Sequence, residues 1–71
     1  MTLAAYLDAR KGTLTLTAMA AALNTSAGRL SQIKGGEKCS ATLALAIEQF
    51  TDGAVNAGEL SDDVAKVRAA A

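Results

Sequence analysis

A chain of 71 residues holds one domain, and a domain of this size buries only about 60% of its unfolded surface, so its core must be compact. Apolar residues make up 51% of the chain, alanine is frequent and proline is absent, which favours an all-α fold over a sheet. The net charge is zero, but five basic and two acidic residues up to position 38 leave +3 there, and two basic and five acidic residues after it leave −3. Such asymmetry indicates a surface that faces a polyanion.

The first predicted helix covers residues 2–10. Leu3, Tyr6 and Leu7 stand at i, i+3 and i+4, which puts the three side chains on one face of a helix. Thr2 has the short hydroxyl side chain that caps a helix N-terminus. We therefore expect the chain to begin with a short helix that contributes its apolar face to the core.

Two further short helices are predicted on either side of a tight turn. The earlier one runs from Leu16 to Leu23 with Thr15 as its N-cap. The later one runs from Ala27 to Lys34 with Ser26 as its N-cap, and two glycines follow it. Between them, Asn24 is one of the few non-glycine residues that tolerate the left-handed backbone conformation that ends a helix.

The remaining elements are a fourth helix and a tail. Ser40 is the expected cap of a helix from Ala41 to about Thr51, and residues 54–56 are consistent with a short extended piece. We divide the chain into a domain of residues 1–60 and a C-terminal tail of residues 61–71. Acidic residues at the start of that tail suit the first turn of a short helix.

Five positions together predict a helix-turn-helix. Ala20 provides the small residue where two helices cross, and Asn24 supplies the positive φ of the turn. Leu30 and Ile33, three residues apart, anchor the later helix, and Leu23 closes the same small core. The alternative is an ordinary helical hairpin within a bundle. The surface of the later helix weighs against that alternative, because it carries no acidic residue.

The helix at residues 26–34 is therefore the candidate DNA-reading helix, placed in the major groove. Gln32 can donate and accept hydrogen bonds with adenine, and Arg29 can pair with guanine or turn sideways to a phosphate. Ser31 can serve either a base or the backbone, and the small residues allow close approach to base edges. The candidate base-reading residues are Ala27, Gly28, Arg29, Ser31 and Gln32.

Phosphate contacts are expected from residues around the same helix. Ser26 stands at a helix N-terminus, where free N–H groups favour anions, and Thr17 lies near the start of the preceding helix. Lys34 and Lys38 would add affinity without sequence information. An equally simple explanation of the two lysines is that they keep the surface hydrated.

Two stretches of the chain resemble Cro-like phage regulators. They are LTAMAAALNTS (residues 16–26) with RLSQIKGG (residues 29–36), and LAIEQFTDGAV (residues 45–55), which is similar to an "IE…TGG.V" run in the branch that includes the YdaS-type antitoxins of prophages. The resemblance implies a compact lambda-repressor-like domain of about five short helices, a homodimer on a double-stranded DNA operator, and transcriptional repression. The chain departs from that family after Leu60, where Ser-Asp-Asp replaces a frequent Arg-Pro-Asp ending.

Other functional classes are less consistent with the sequence. Histidine is absent, Cys39 is the single thiol, and the acidic residues form neither a paired-carboxylate motif nor a metal-ligand spacing. We therefore expect no enzyme activity, no cofactor and no metal. The alternative function is an antitoxin-like module whose acidic second half binds a toxin protein.

The sequence also leads to expectations about location and assembly. It has no apolar stretch long enough for a membrane span and no charged segment typical of a secretory signal, so we expect a cytoplasmic, nucleoid-associated protein. A monomer would present a small DNA-binding surface, and we expect a dimer. The expected dimer surface is the end of the fourth helix with the segment around Val55.

Overall fold

The computed structural model describes residues 1–70, and within that range the chain forms α-helices and no strand. The six helices of these residues are α1 (Leu3–Ala9), α2 (Leu16–Ala22), α3 (Ala27–Lys34), α4 (Ala41–Phe50), α5 (Ala57–Leu60) and α6 (Asp62–Ala70). The predicted all-α class is confirmed. The first four helices begin at or within a residue of their predicted positions, and α5 is an addition to the elements that we expected.

Side-chain caps explain why the first four helices begin where they do. Each capping oxygen accepts a hydrogen bond from the backbone N–H three residues later, at 3.0–3.3 Å, and so satisfies an N–H that has no partner inside the helix. The four caps are Thr2, Thr15, Ser26 and Ser40. All four were predicted from the sequence.

The ends of α2, α3 and α4 share one geometry. In each, a residue with positive φ follows the C-cap: Asn24 at 57°, Gly36 at 115° and Asp52 at 54°. The next N–H then bonds to a carbonyl five residues earlier, as in Thr25 N to Ala20 O at 2.9 Å. Two backbone hydrogen bonds thus close the C-terminal end of each helix, and the chain turns sharply there. This geometry confirms the predicted role of Asn24.

The core runs along the length of the molecule, which measures 38 × 20 × 19 Å. Its largest fully buried apolar side chains come from α2, α3, α4 and the segment before α5: Met19, Leu30, Ile47 and Val55. Leu43 and Phe50 on α4 share the face of Ile47 but are only half-buried. The α3 helix packs on α1 and α2, and α4, α5 and α6 pack against one another.

The segment between α4 and α6 differs from expectation. The backbone bends at Ala54 and Val55 instead of running extended, and of the three expected residues Asn56 has an extended conformation. Its side chain caps α5 by accepting a hydrogen bond from Gly58 N at 2.7 Å. Val55 is 0% exposed, and its N–H donates to Thr51 Oγ1 at 3.1 Å. The expected dimer surface around Val55 is therefore wrong at that residue, because the domain's own core already covers its side chain.

The C-terminal residues belong to the packed structure. Ser61 is buried and caps α6 by accepting a hydrogen bond from Val64 N at 3.4 Å, and Val64 lies in the core. The helix α6 packs on α4 and α5, so residues 61–70 are not a tail apart from the domain. Val67, one turn after Val64 on the same helix, is 70% exposed. Ala71 lies outside the described residues.

One polar cluster ties the C-terminal helices together. The guanidinium of Arg68 donates two hydrogen bonds to the carboxylate of Glu48, at 2.8 and 2.7 Å, and a third to Asn56 Oδ1 at 3.0 Å. Glu48 also accepts from Ala57 N at 2.7 Å. The hydrogen bonds from Arg68 and then from Ala57 hold the pKa of Glu48 at about 2, below its ordinary 4.5.

This cluster predicts a pH dependence of stability. Because the pKa of Glu48 is lower in the folded state, its contribution is fully present above pH 4.5 and is lost as the pH falls towards 2. We expect Glu48→Gln to lower the free energy of unfolding clearly at pH 7 and much less near pH 2, where the carboxyl of the parent is also protonated. Urea denaturation at both pH values measures this difference.

Glu59→Gln is the matched control, since Glu59 holds no salt bridge among residues 1–70. We expect it to leave stability at pH 7 nearly unchanged. An equal loss of stability at both pH values for Glu48→Gln would show that the ionised pair contributes nothing and that only the side-chain shape matters.

Candidate nucleic-acid interface

The unit formed by α2, the turn and α3 (the α2–α3 unit, Leu16–Lys34) places the apolar residues of the five-position pattern on its inward side. Met19 and Ala20 are the buried residues of α2, and Leu30 and Ile33 are those of α3, which packs on α2 and α1. Leu23 is half-buried against the same cluster. The apolar sides of both helices thus face inward, and the rest of α3 faces solvent.

The outward side of α3 is small and polar. Ser31, Gln32 and Lys34 are exposed. Gly28 is also exposed, and a Cβ built on it would meet no atom within 4 Å, so nothing in the chain itself requires glycine there. Ala27 is half-buried and packs against the core, which leaves only part of its methyl group for an outside contact. The structure therefore brings most of the predicted base-reading residues onto one exposed surface.

Arg29 is placed differently from the other candidates. Its guanidinium lies 3.4 Å from Gln32 Oε1 and 3.4 Å from Glu37 Oε2, and it donates to the backbone oxygen of Lys38 at 3.1 Å. The side chain therefore turns towards the loop after α3 rather than outward from the helix. To touch a base, Arg29 would have to give up these contacts, whereas a phosphate beside the loop would require less movement.

The candidate phosphate residues fall into two groups. Thr17 and Lys34 are exposed, and so is Ser26, although its hydroxyl is already engaged in capping α3. Lys38 points away from α3. Its Nζ donates to the backbone oxygen of Glu59 at 2.9 Å and lies 4.0 Å from Asp62 Oδ1, so the structure does not bring Lys38 together with the other three.

The electrostatics of this surface follow from where the acidic residues stand. No acidic residue occurs between Asp8 and Glu37, so the α2–α3 unit carries only the positive charges of Arg29 and Lys34. Glu37 is the residue that the sequence analysis missed. It lies beyond the end of α3, so helical spacing does not predict its position, and the turn at Gly36 brings it within 3.4 Å of the guanidinium.

Cys39 lies close to this surface but has the surroundings of a core residue. It is half-buried, and its N–H donates to the backbone oxygen of Leu60 at 2.8 Å. Burial raises the pKa of its thiol, and the nearby charge of Arg29 offsets the rise only in part. The thiol is therefore held in its protonated form, which is the poorer nucleophile.

Comparisons of the chain with protein-family models, curated proteins and solved structures found no match. Among residues 1–70, no helix has the length and apolar character needed to cross a membrane. The same residues contain no group of three or more histidine, cysteine or acidic side chains arranged to hold a metal ion. A functional assignment therefore depends on the geometry and charge of the α2–α3 unit.

Proposed function

We propose that the protein binds double-stranded DNA with α3 in the major groove and acts as a transcriptional repressor of the phage Cro type. In this proposal the α2–α3 unit is the helix-turn-helix of a lambda-repressor-like domain. The observation that carries it is the outward surface of α3, which is small, polar and free of acidic side chains, on a helix anchored by Leu30 and Ile33. A surface of this kind suits close approach to base edges and phosphates.

The exposed residues then take distinct roles. Gln32 is the main base reader, since its amide can form two hydrogen bonds with adenine. Ser31 supports it, and Gly28 and Ala27 keep the helix close to the groove. Arg29, held beside Glu37, contributes chiefly to a phosphate contact.

We place the phosphate contacts, which supply affinity without sequence preference, at the edge of the same surface. Thr17, Ser26 and Lys34 contact phosphates, while Lys38 contributes from a greater distance or not at all, because it is held by Glu59 and Asp62. The functional form is a homodimer on a two-fold operator, acting in the cytoplasm at the nucleoid.

Selection of bound sites from random duplexes, followed by binding measurements over a range of salt concentrations, tests the proposal. We expect a palindromic site. The logarithm of the affinity should fall with that of the salt concentration by about 0.9 for each phosphate neutralised, hence roughly 2 for each protomer if Lys34 and Arg29 both contact the backbone. Failure to enrich any sequence, with a salt dependence near zero, would contradict DNA binding.

The second candidate function is an antitoxin-like module that binds a toxin protein. It is favoured by the acidic balance of the second half of the chain, where Asp52, Glu59 and Asp63 are exposed. This candidate predicts neither a sequence preference nor a steep dependence on salt in the DNA-binding measurements. The same experiment therefore separates the two functions.

A further inference from the structure

The helices α4 and α6 leave an apolar groove between them. The groove has a volume of about 230 Å³ and is lined by Ala41, Leu45, Asp63, Val64, Val67 and Arg68. Leu45 is 42% exposed and Val67 is 70% exposed. Together with Met1 they are the exposed large apolar side chains of residues 1–70, and these two share one groove.

Exposed apolar side chains that gather at one site indicate a contact surface more strongly than scattered ones do. The groove is not part of the proposed DNA-binding surface. It is lined by α4 and α6, whereas that surface lies on α3, which packs with α1 and α2. Covering Val67 and Leu45 would remove apolar area from water without blocking α3.

The charges beside the groove indicate that a second copy of the chain occupies it. The α6 helix carries Asp62 and Asp63 in its first turn and Lys66 one turn later. Neither Asp63 nor Lys66 has a salt-bridge partner within residues 1–70. A second α6 running antiparallel across a two-fold axis would set Asp63 of each copy beside Lys66 of the other, and it would also pair the helix dipoles favourably.

We propose that this face is an interface between two copies of the chain, in which α6 lies antiparallel to its counterpart and Val67 of each copy covers the groove of the other. The interface is isologous, so the same apolar and charged residues serve on both sides. The inference deepens the homodimer of the proposed function by naming its surface, but it does not require DNA. Each copy offers two exposed large apolar side chains at the groove, Leu45 and Val67, so we expect a weak dimer that dissociates on dilution.

Sedimentation equilibrium without DNA, over a range of protein concentrations, tests the apolar part of this interface. We expect a monomer–dimer equilibrium for the parent chain and a dissociation constant at least ten times higher for Val67→Asp. Ala69→Asp introduces the same charge on the same helix, about 200° around its axis, and should leave the equilibrium unchanged. Both positions are exposed, so circular dichroism should show the parent's helix content in both variants.

The charged part of the interface is tested by mixing two variants whose charges complement each other. Asp63→Lys places like charges at each contact, and so does Lys66→Asp, so each variant alone should be monomeric. When the two are mixed, both contacts again pair opposite charges, and a heterodimer should form at the parent's concentration range. A variant that had lost its fold would not form a dimer on mixing, so recovery of the dimer shows that both variants are folded.

The inference is overturned if the parent is monomeric at all concentrations, if Val67→Asp and Ala69→Asp behave alike, or if the mixed charge variants stay monomeric. Each of these results concerns assembly in the absence of DNA. They are therefore distinct from a failure of the proposed function, which would appear as loss of sequence-dependent DNA binding by a chain that still forms dimers.

Discussion

Replacing Leu30 by alanine is expected to lower the free energy of unfolding by about 2–5 kcal/mol. Leu30 is 0% exposed and stands in the middle of α3, the helix that packs on both α1 and α2. Shortening its side chain removes buried apolar surface and leaves a cavity that the small surrounding core cannot easily fill. Since a domain is stable by only roughly 0.05–0.15 kcal/mol per residue, this loss is a large share of the total.

Urea denaturation followed by circular dichroism measures this effect. Leu45→Ala is the matched control, because it makes the same chemical change at a side chain that is 42% exposed. Measured at low protein concentration, where a weak dimer does not contribute, it should cost well under half as much. A Leu30→Ala protein as stable as the Leu45→Ala protein would mean that α3 is not anchored in the core through Leu30.

Replacing Gln32 by alanine is expected to weaken binding to the selected DNA site by about 1–3 kcal/mol and to leave binding to random duplexes nearly unchanged. Gln32 is exposed on the outward side of α3, so the change removes the amide that we propose as the base reader without disturbing the core. The long 3.4 Å contact from Arg29 to Gln32 Oε1 is also lost. That contact is solvent-exposed and should contribute little to stability.

Lys34→Ala is the companion variant, because Lys34 lies on the same helix and is exposed in the same way. It should weaken binding to specific and random DNA about equally and reduce the salt slope by about 0.9 for each protomer. Fluorescence anisotropy with the selected duplex and a scrambled duplex of equal length measures both variants. If Gln32→Ala bound both duplexes as the parent does, α3 would not be the base-reading helix.

The helix boundaries could be predicted because the signals that set them are local. Thr15 and Ser26 each satisfy an N–H only three residues away, and Asn24 turns the backbone through its own φ of 57°. Apolar spacing alone was enough to assign Leu30 and Ile33 to the core. These features involve a single turn of helix and depend little on the rest of the fold.

The candidate site could be predicted only in part. The exposure of Ser31 and Gln32 follows from the same helical spacing that buries Leu30 and Ile33, so the sequence was sufficient there. The position of the Arg29 side chain could not be predicted in this way. It depends on Glu37, which the chain brings back beside α3 only after the turn at Gly36.

The sequence by itself determined an all-α chain, the caps and ends of α1 to α4, and which side of α3 points outward, because each of these follows from residues within a few positions of one another. Only the tertiary structure decided what the C-terminal part does. The burial of Val55, the pairing of Glu48 with Arg68 and the contact of Lys38 with Glu59 join residues far apart in the chain, or depend on several helices packing at once. Periodicity does not encode such contacts, so the packing of α6 on α4 and α5 could not be predicted from the sequence.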